Sequence, residues 1–461
     1  MIGAGLAGSL VANESARFSE VTVLEIGPRN STLFPPVRFT NKKLAEVNTF
    51  CFGAGGSTNL WHNGLVPIRP SDVSGITFRG VLSDLIRFTD PVAAALFFDQ
   101  GLFSSEYARV LVEMNQIAES LGFGKDRFDC LIYPKRFKPL GLDSSVKAYY
   151  EVERIEFLAH EGRITSLQIH RGGQRHTLDA DVIVVSAGTM GTSRVLDRLL
   201  AAAGQSSSEL GTGFMDHPMG FVGKVRLKPE FSRAMRRLSC LDRGRYTAQG
   251  IMRIRSGCGS YMCGVFFRPA LTMENRLGIH RFKSSLGASA GTRRLRNALS
   301  LNLFHPDIVA EIVAHLLHRR LPSRTYGLLL VAEQKQGRNR VYYEGGDLVV
   351  DWTVTEEELK GYRSVLAQLR ECLEPVAEEI VLKDELTEEW LWSCAHHSGA
   401  TPMGTGEGSL IDQDLRLRLF DNVYVCDGSV IQEHSYANTG LTIGQLAFRL
   451  VERIHGQEPG S

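Results

Sequence analysis

The sequence predicts an α/β protein, of the α+β kind in its second part, with two lobes, one of which is built from separated segments of the chain. Three stretches support this prediction: a glycine-rich turn at the start, a buried strand near residue 180, and a buried strand followed by an amphipathic helix near the end. Because domains usually hold roughly 100–200 residues, the 461 residues are enough for two or three of them.

The glycine-rich turn has the spacing of a dinucleotide-binding motif. It reads GxGxxG, with Gly3 in front and with Leu6 and Ala7 between Gly5 and Gly8. In such a turn the backbone approaches a pyrophosphate closely, and the positive end of the following helix lies against its charge. The pattern by itself is weak evidence, so the residues around it decide what it means.

The residues that follow complete half of a Rossmann-like βαβ unit. A helical stretch over 10–18 leads into a β-branched run over 21–24, which ends at Glu25. Glu25 lies 20 residues beyond Gly5, where an acid takes the ribose hydroxyls in units of this kind. The combination predicts a dinucleotide site.

The strand that should precede the turn is short. Only Met1 and Ile2 stand before Gly3, although about five residues are expected there. Either the numbering omits a preceding piece or this strand is abnormally short, and the residues leave both possibilities open.

The chain returns to the nucleotide sheet twice. Short alternating runs between Val152 and Arg171 predict a β-meander, and the run 181–188 predicts a buried strand that ends in small residues. Residues 422–427 predict another short strand. An apolar face with helical spacing then begins close to Asn438 and Thr439, which are both good N-cap types.

The segment between these returns has a different pattern. Strand-like runs at 326–332 and 348–354 precede a helical pattern over 356–373. We therefore predict a dinucleotide-binding domain whose first part, with the meander, covers 1–204, a substrate-binding domain at 205–385, and a return segment at 386–461 that completes the first domain and the active site.

Charge is uneven along the chain. Residues 224–345 hold 23 Lys and Arg against 7 Asp and Glu, whereas the whole chain has a formal net charge of +1. A solvated basic surface, or one docked on an acidic neighbouring domain, explains the excess, and a binding patch is the alternative. No nucleic-acid-binding motif accompanies the basic residues, so no nucleic-acid partner is predicted.

The cysteines point to a reducing compartment. The eight cysteines form no CxxC pair, and no His and Cys group has zinc-finger spacing. We therefore expect reduced thiols, a cytoplasmic protein and no bound metal. The start of the chain lacks the basic and apolar regions of a signal peptide, and no run of about 18 apolar residues occurs, so neither secretion nor a membrane span is expected.

Five blocks in this order resemble the glucose-methanol-choline (GMC) family of FAD-dependent alcohol oxidoreductases. They are the GxGxxG with Glu25; Gly55-Gly56-Ser57-Thr58; Ala187-Gly188-Thr189-Met190-Gly191-Thr192-Ser193-Arg194-Val195-Leu196; His396-His397-Ser398-Gly399-Ala400-Thr401-Pro402-Met403-Gly404; and Asp427-Gly428-Ser429 with Asn438-Thr439-Gly440-Leu441-Thr442-Ile443. They lie within 1–70, 150–200 and 390–455. Each block is weak alone, but five in the right order are a strong signal.

The resemblance implies a FAD-binding lobe and a substrate lobe made of a sheet with helices. It places the FAD pyrophosphate on the first glycine block, the adenosine ribose on Glu25 and the adenine near Val152. The loop 53–59 would lie along the isoalloxazine and the pyrophosphate, and Asp427 with Gly428 would close over the pyrophosphate and ribitol. The positions assigned to FAD are Gly3, Gly5, Leu6, Ala7, Gly8, Glu25, Gly55, Gly56, Ser57, Asn59, Val152, Ala187, Gly188, Asp427, Gly428, Asn438 and Thr439.

The resemblance also implies how FAD is held. In some relatives a histidine in the second glycine loop is covalently bonded to FAD. Alignment on Trp61 puts Leu60, not His62, at that position. Non-covalent FAD is therefore expected.

Members of the family oxidise an alcohol by taking its hydroxyl proton on a histidine while the carbinol hydrogen passes as hydride to flavin N5. The block that contains Gly399 and Met403 places this histidine at His396, and Asn438 takes the second position that binds the hydroxyl. A histidine is largely neutral at pH 7–8 and can accept the proton, whereas asparagine can orient the hydroxyl but not deprotonate it. The helix that starts after Asn438 would point its positive end towards the flavin pyrimidine.

Other histidines are alternatives. His397 would be the base if the alignment slips by one residue. His434 could reach the site, but a loop histidine bonded to backbone is favoured. Asp216 and His217 resemble a family segment at the edge of the substrate lobe, and we expect a structural role for them because His before Pro is held extended and no acid or base lies nearby in sequence.

The substrate is a small-molecule alcohol whose identity the residues do not fix. The residues of the second glycine loop resemble those of family members that oxidise sugars and polyols, which favours a sugar, glycoside or other polyhydroxylated metabolite. The basic segment disfavours a cationic alcohol such as choline. The electron acceptor, dioxygen or another, stays open. Two rivals remain: a lyase of the same fold that cleaves cyanohydrins and keeps FAD for structure, and a FAD-binding protein that has lost catalysis.

Overall fold

A computed structural model of the chain describes residues 1–41, 49–135, 139–277, 304–316, 322–401, 403–406 and 409–456. Within them the fold is mixed α/β, as predicted. The helices are α1 (Leu6–Ser15), α2 (Ile76–Leu85), α3 (Thr89–Ala95), α4 (Phe103–Ser120), α5 (Gly188–Ala202), α6 (Ser232–Ser239), α7 (Pro306–Leu316), α8 (Glu356–Leu373) and α9 (Thr439–His455). The strands are β1 (Thr22–Leu24), β2 (Val37–Phe39), β3 (Phe128–Pro134), β4 (Lys147–Tyr149), β5 (Arg154–His160), β6 (Arg163–Arg171), β7 (Gln174–Asp179), β8 (Ile183–Val185), β9 (Pro218–Leu227), β10 (Leu241–Asp242), β11 (Tyr246–Arg255), β12 (Met262–Ala270), β13 (Thr325–Ala332), β14 (Arg340–Glu344), β15 (Asp347–Asp351), β16 (Ala377–Leu382), β17 (Trp392–Ser393) and β18 (Val423–Val425).

A small parallel sheet brings the two ends of the chain together. β1 pairs with β4, and β8 pairs with β18, both in parallel. Ile2 bridges Leu24 of β1 and Val185 of β8, so it takes the central position of the order β4, β1, Ile2, β8, β18. Because the carboxyl ends of parallel strands meet at one edge, the turns that follow these strands lie together.

A large antiparallel sheet forms the other half of the molecule. Its order is β11, β12, β13, β9, β16, with β3 and β10 on β11 and with β17 on β9. All residues of β13 are buried, so this central strand is covered on both faces. α8 packs on one face, where the Tyr362 hydroxyl donates a hydrogen bond of 2.7 Å to the Glu333 carbonyl. The other face borders the cavity described below.

Two smaller, three-stranded sheets lie outside these two sheets. β5, β6 and β7 form the predicted meander. β14 and β15 form a hairpin, and β15 pairs in parallel with β2. Both β2 and β3 come from the first 204 residues but pair with strands of the middle segment, so these two pairings cross the predicted boundary. The domain boundaries at 204 and 385 stay a prediction.

Local sequence explains where the predicted helices begin. α8 covers the predicted residues 356–373, because Thr355 and Glu358 form a capping box and acids fill the first turn. α9 begins at Thr439 with Asn438 as N-cap, also as predicted. α1 begins at Leu6, four residues before the predicted start, because the helix starts inside the glycine motif.

The residues that the structure describes include all eight cysteines, and none of these forms a disulfide. None of the helices in this part of the chain is both long and apolar enough to cross a bilayer. Of the basic segment, residues 278–303 and 317–321 lie outside the description.

Candidate active site

A cavity of about 810 Å³ lies between the carboxyl edge of the parallel sheet and the free face of the large sheet. It is lined by most of the positions that the sequence assigns to a cofactor or to catalysis: Gly3, Gly5, Leu6, Ala7, Glu25, Gly56, Ser57, Val152, Ala187, Gly188, His396, Asp427, Gly428, Asn438 and Thr439. Gly8, Gly55 and Asn59 do not line it. The fold therefore brings residues from both ends of the chain to one space.

The start of α1 is open towards this cavity. Gly5 is the N-cap of α1, and no side chain caps the helix. The first amides of a helix have no partner within it, so they are free to bind an anion. A Cβ atom built on Gly5 would meet no atom within 4 Å. A side chain here would project into free space rather than into protein.

The other two glycines of the motif serve close packing. A Cβ on Gly8 would lie 2.0 Å from the Gly3 carbonyl oxygen. Gly3 itself has a φ of 105° and would carry a Cβ 2.3 Å from the Ser186 carbonyl oxygen. Only glycine lets α1, the first turn and the end of β8 approach this closely.

The second glycine loop packs directly on the first. Gly56 has a φ of 48°, and a Cβ there would lie 2.9 Å from the Cα of Gly5. The Gly55 amide donates a hydrogen bond of 2.9 Å to the Ala4 carbonyl. Asn59 donates to the carbonyls of Ala54 and Gly56, at 2.9 and 2.8 Å. Asn59 therefore holds the loop in shape instead of facing the cavity.

Glu25 ties the two loops together. Its buried carboxylate accepts hydrogen bonds from the amides of Ala4, Gly27 and Gly53, at 2.8, 2.8 and 3.0 Å. These three bonds leave part of the acceptor capacity of a carboxylate unused. Glu25 also lines the cavity, close to the buried Val152, whose amide donates to the Glu25 carbonyl. The fold therefore brings both residues, which the sequence assigns to the ribose and the adenine, to the same cavity.

Asp427 fixes the opposite wall. Its carboxylate accepts hydrogen bonds from the Gly188 amide at 3.0 Å, the Thr192 hydroxyl at 2.5 Å and the Ser429 amide at 2.8 Å. Burial raises the pKa of Asp427, although the hydrogen bonds from Thr192 and Ser429 oppose this. The start of α5 is thus already paired with an acid, whereas the starts of α1 and α9 have no acid in their first turns.

Positive charge collects on one side of this region. Arg154, Arg194 and Arg198 all line the cavity near Val152. Burial lowers the pKa of Arg198, and the charges of Arg194 and Arg154 lower it further. The guanidinium of Arg194 lies 4.8 Å from the centre of the Tyr343 ring. Such a group of like charges favours a negatively charged or electron-rich ligand.

The residues present fit FAD. The open start of α1 and the cationic side suit a pyrophosphate and an adenosine. Three buried polar atoms that line the cavity, Thr49 Oγ1, Trp61 Nε1 and Asn63 Oδ1, have no hydrogen-bond partner among the described residues. Buried polar atoms normally have partners, and the heteroatoms of a flavin would supply them.

His396 lies at the end of the cavity that borders the large sheet. Its Nδ1 lies 3.0 Å from Nδ1 of His217, and its Nε2 lies 3.8 Å from Sγ of Cys394. Burial lowers the pKa of His396 to about 4, although the nearby carboxylate of Asp216 opposes this effect. His396 is therefore neutral at physiological pH.

The hydrogen bonds assign the tautomer of His396. Nε2 of His217 lies 2.9 Å from the Ser435 carbonyl oxygen, which only accepts, so this nitrogen carries the proton. Burial holds the pKa of His217 well below its usual range, so the ring is neutral and its Nδ1 has a lone pair. Nδ1 of His396 must then donate to it. The remaining nitrogen of His396, Nε2, is an unprotonated base.

Asp216 organises the segment that carries His396. Its buried carboxylate accepts hydrogen bonds from the amides of His217 and His396, at 2.7 and 2.9 Å, and from the hydroxyl of Ser393. Nε2 of His397 lies 3.6 Å from the same carboxylate. His397 therefore points to an acid, while His396 points to Cys394 and His217.

The sequence analysis did not connect Asp216 and His217 with His396. It gave them a structural role because no partner acid or base stands near them in sequence. In the fold, His217 contacts His396 across 179 residues of chain and Asp216 contacts it across 180. No local signal marks this contact, since pairing between β9 and β17 creates it. The expectation for His434 is confirmed: its Nε2 bonds the Gln334 carbonyl at 2.9 Å, and its ring stacks on His217.

Asn438 has a free side chain at the start of α9. It is half-buried, lines the cavity and makes no side-chain hydrogen bond to any described residue, not even as a cap. A hydrogen bond of 2.6 Å from the Tyr436 hydroxyl to the buried carboxylate of Asp129 holds the preceding loop in place. The side-chain amide of Asn438 is thus held at the cavity and has no hydrogen-bond partner among the described residues.

Comparisons with known proteins agree with this architecture. A family model described as GMC oxidoreductase matches residues 336–447. The chain is 24% identical over 290 residues to a pyridoxine 4-oxidase from Microbacterium luteolum, a match that covers 55% of this chain and 48% of that protein. It therefore matches about half the length of this relative. A crystal structure of pyridoxine 4-oxidase from Mesorbium loti superposes with a TM-score of 0.60 at 15% identity and covers 99% of both chains, which supports the same fold.

Proposed function

Because the chain belongs to the GMC oxidoreductase family, we propose that it is a FAD-dependent enzyme that oxidises an alcohol to a carbonyl compound. The observation that carries the proposal is the hydrogen-bond chain from Ser435 through His217 to His396, which leaves Nε2 of His396 unprotonated beside the cavity. Alcohol oxidation needs a group that accepts the hydroxyl proton, and a neutral imidazole held at the end of the cavity can do so.

His396 acts as the base in this proposal. Nε2 takes the hydroxyl proton of the alcohol, and the bond from Nδ1 to His217 holds the ring in the orientation that presents Nε2. FAD, when bound, supplies the acceptor for the carbinol hydrogen and its electron pair. The product carbonyl forms as the hydroxyl proton and this hydrogen leave.

Asn438 orients the alcohol. Its amide can donate a hydrogen bond to the alcohol oxygen. No hydrogen bond to protein has to break first, because the side chain makes none to the described residues. The start of α9 adds a positive end without a neighbouring acid, which stabilises negative charge nearby. His397 is the weaker candidate for the base, because its ring is directed at Asp216.

Non-covalent FAD is part of the proposal. Leu60, at the position where some relatives carry the bonded histidine, lines the cavity and offers no nucleophile. We expect purified protein to be yellow and to release intact FAD into the supernatant when it is precipitated with acid. Flavin that stays with the precipitate would contradict this expectation.

Two substrate classes compete within the proposal. The residue sequence of the second glycine loop favours a sugar, glycoside or other polyhydroxylated alcohol. The likeness to pyridoxine 4-oxidase favours a compact alcohol such as pyridoxine. A cytoplasmic location and the nature of the electron acceptor stay predictions.

Anaerobic flavin reduction tests the proposal. A panel of sugars, polyols, pyridoxine and benzylic alcohols is mixed with the holoenzyme without oxygen, and the oxidised-flavin absorbance is followed. Loss of this absorbance with at least one alcohol supports the oxidoreductase. A cyanohydrin lyase or a protein without catalysis keeps the absorbance with every member, and that result would overturn the proposal. Admission of air then shows whether dioxygen accepts the electrons.

A further inference from the structure

The wall of the cavity beyond His396 is mostly apolar. It is formed by the free face of the large sheet and by β17 with its flanking residues, and its side chains are Met219, Phe266, Leu329, Val331, Leu391 and Trp392. A hydroxyl or amide placed here loses its hydrogen bonds to water and gains no partner, which disfavours its binding. This wall suits a flat apolar body better than one with a hydroxyl on every carbon.

The register of the large sheet arranges the side chains of this wall in rows that run across neighbouring strands. The first row holds Met219, Val331 and Gly264 on neighbouring strands, and Met219 touches Cys394 with sulfur atoms 3.7 Å apart. The row therefore lies next to His396. A Cβ on Gly264 would meet the Tyr436 ring at 3.0 Å, so this row also contacts the loop that leads to Asn438.

The next row holds Phe266 and Leu329, two residues further along the strands. At about 3.3–3.4 Å per residue, it lies about 7 Å from the first row. Both residues line the cavity. A ring bound between the two rows would have one end at His396 and the other near Phe266.

Arg268 stands at the far end of this wall. It is half-buried and lines the cavity, and it lies opposite Gly327 in the next strand, where no side chain competes for the space. Its guanidinium carbon lies 5.8 Å from the centre of the Phe266 ring, so the side chain leans back towards the second row. Arg268 has no carboxylate within 4.0 Å among the described residues.

Two carboxylates, Asp307 and Glu311, line a small pocket with Arg268, but among the described residues neither forms an ion pair with it. Lys224, which faces the same side of the sheet, forms a buried ion pair with Asp307. Asp307 also accepts from the amides of Leu271 and Thr272, at 2.6 and 3.2 Å, so its oxygens are occupied. Glu389 lines the same cavity, but it is exposed. A guanidinium in this position favours an anion from the ligand.

We propose that the substrate is a planar, aromatic alcohol that carries an anionic group at the end opposite its carbinol, and that Arg268 binds this anion. The inference rests on the proposed function, because it takes His396 as the site of the hydroxyl. It favours the compact ring over the sugar: the two apolar rows hold the ring, and Arg268 pairs with a carboxylate or a similar group at its far edge.

Binding without turnover is the first test. The ligands are 4-methylbenzoate and its neutral partner 4-methylbenzamide, neither of which has a hydroxyl to oxidise, and their affinities for the holoenzyme are measured by isothermal titration calorimetry. We expect the acid to bind at least about tenfold more tightly than the amide, because a hydrogen bond to a charged group is worth that much. Arg268→Met should bring this ratio close to one, and Arg268→Lys should keep part of it.

A matched control separates a local contact from general attraction. Arg233 is exposed on α6 in the same basic segment and does not line the cavity. Arg233→Met removes the same charge, so we expect it to keep the wild-type ratio. Equal binding of acid and amide by the wild type would overturn the inference. A preference that survives in Arg268→Met would overturn it as well.

Turnover distinguishes failure of the inference from failure of the proposed function. Anaerobic flavin reduction is measured with 4-(hydroxymethyl)benzoate and 4-(hydroxymethyl)benzamide, and the acid should have the higher ratio of rate to dissociation constant, in wild type only. If sugars reduce the flavin while acid and amide bind equally, the proposed function stands and the inference falls. If no alcohol reduces the flavin, the proposed function falls, and with it the claim that the anion belongs to a substrate.

Discussion

The Nδ1 atoms of His217 and His396 lie 3.0 Å apart, in a pair that can form only if one ring donates and the other accepts. The bond of His217 to the Ser435 carbonyl decides the direction, so His217 accepts and His396 donates. The proton position on His396 is thus set by a carbonyl one histidine away. This relationship makes His217 a positioning residue for the base.

The role of His217 predicts a rescue by a residue that can accept. His217→Leu removes the acceptor for Nδ1 of His396, so its ring can turn or exchange tautomers, and flavin reduction should slow about tenfold. His217→Asn places a carbonyl oxygen near the lost Nδ1 and should recover most of the rate. Stopped-flow rates of flavin reduction, with the dissociation constant of the alcohol, check this. Equal rates in the Leu and Asn variants would show that His217 only fills space.

The assignment of His396 as the base predicts how flavin reduction depends on pH, with a limb at acid pH where the rate falls. Because burial lowers the pKa of His396 to about 4, the base is neutral above that pH. The ratio of reduction rate to dissociation constant should be flat from pH 6 to 8 and fall below about pH 4. His396→Ala should slow reduction by about 10²–10⁴-fold and lose this limb while FAD stays bound. His397→Ala should keep the limb, and the opposite pattern would move the base by one residue.

The role proposed for Asn438 predicts that its loss slows flavin reduction without lowering the stability of the fold. Asn438→Ala removes no hydrogen bond to a described residue, so the midpoint of thermal unfolding should stay near that of the wild type. The alcohol loses one orienting hydrogen bond worth about 0.5–1.5 kcal/mol, so reduction should slow about 2- to 10-fold. Stopped-flow kinetics and calorimetry on the same preparation measure both. A large fall in stability with no change in rate would mean that Asn438 is structural.

Two glycines of one motif predict different losses. Gly5→Ala projects a methyl group into open cavity space, so the fold should persist while the affinity for FAD falls at least tenfold. Gly8→Ala forces a methyl group to within 2.0 Å of the Gly3 carbonyl oxygen, so it should lower the free energy of unfolding by about 1–3 kcal/mol or more. Flavin titration of apoprotein and urea unfolding separate the two. The prediction fails if both variants lose stability equally.

Buried neutral histidines predict acid sensitivity of the fold. Burial lowers the pKa of His434 to about 4 from its ordinary 6.5. Between these pH values the unfolded chain binds a proton that the folded chain does not, so the free energy of unfolding is full above about pH 6.5 and decreases as pH falls towards 4. His434→Gln should weaken this slope, whereas His160→Gln, at an exposed side chain, should leave it unchanged. Urea unfolding from pH 4.5 to 7.5 measures the slopes.

Patterns within short stretches were enough to predict much of the fold. The capping box at Thr355 and the apolar spacing of α9 are local, so both helices begin where the sequence predicts. The glycine motif predicts a close backbone approach, because Gly3 and Gly8 leave no room for a Cβ. Five ordered blocks predicted a GMC oxidoreductase, and the family model of that description matches residues 336–447, which include the last two blocks.

Contacts between distant residues could not be predicted in this way. The sequence assigned all three glycines of the first motif to the cofactor, yet only the fold shows that Gly5 faces open space while Gly8 packs on Gly3. It assigned Asn59 to the cofactor as well, whereas the side chain bonds its own loop.

The sequence by itself determined where α8 and α9 begin and which histidine stands in the family block, because these depend on neighbours within a few residues. Only the tertiary structure decided which side chains meet: His217 with His396, and Arg268 with Phe266 on a wall that ends at Cys394. The physical reason is that strand register and the pairing of β9 with β17 set these distances, and no short stretch of sequence encodes the partner of a strand.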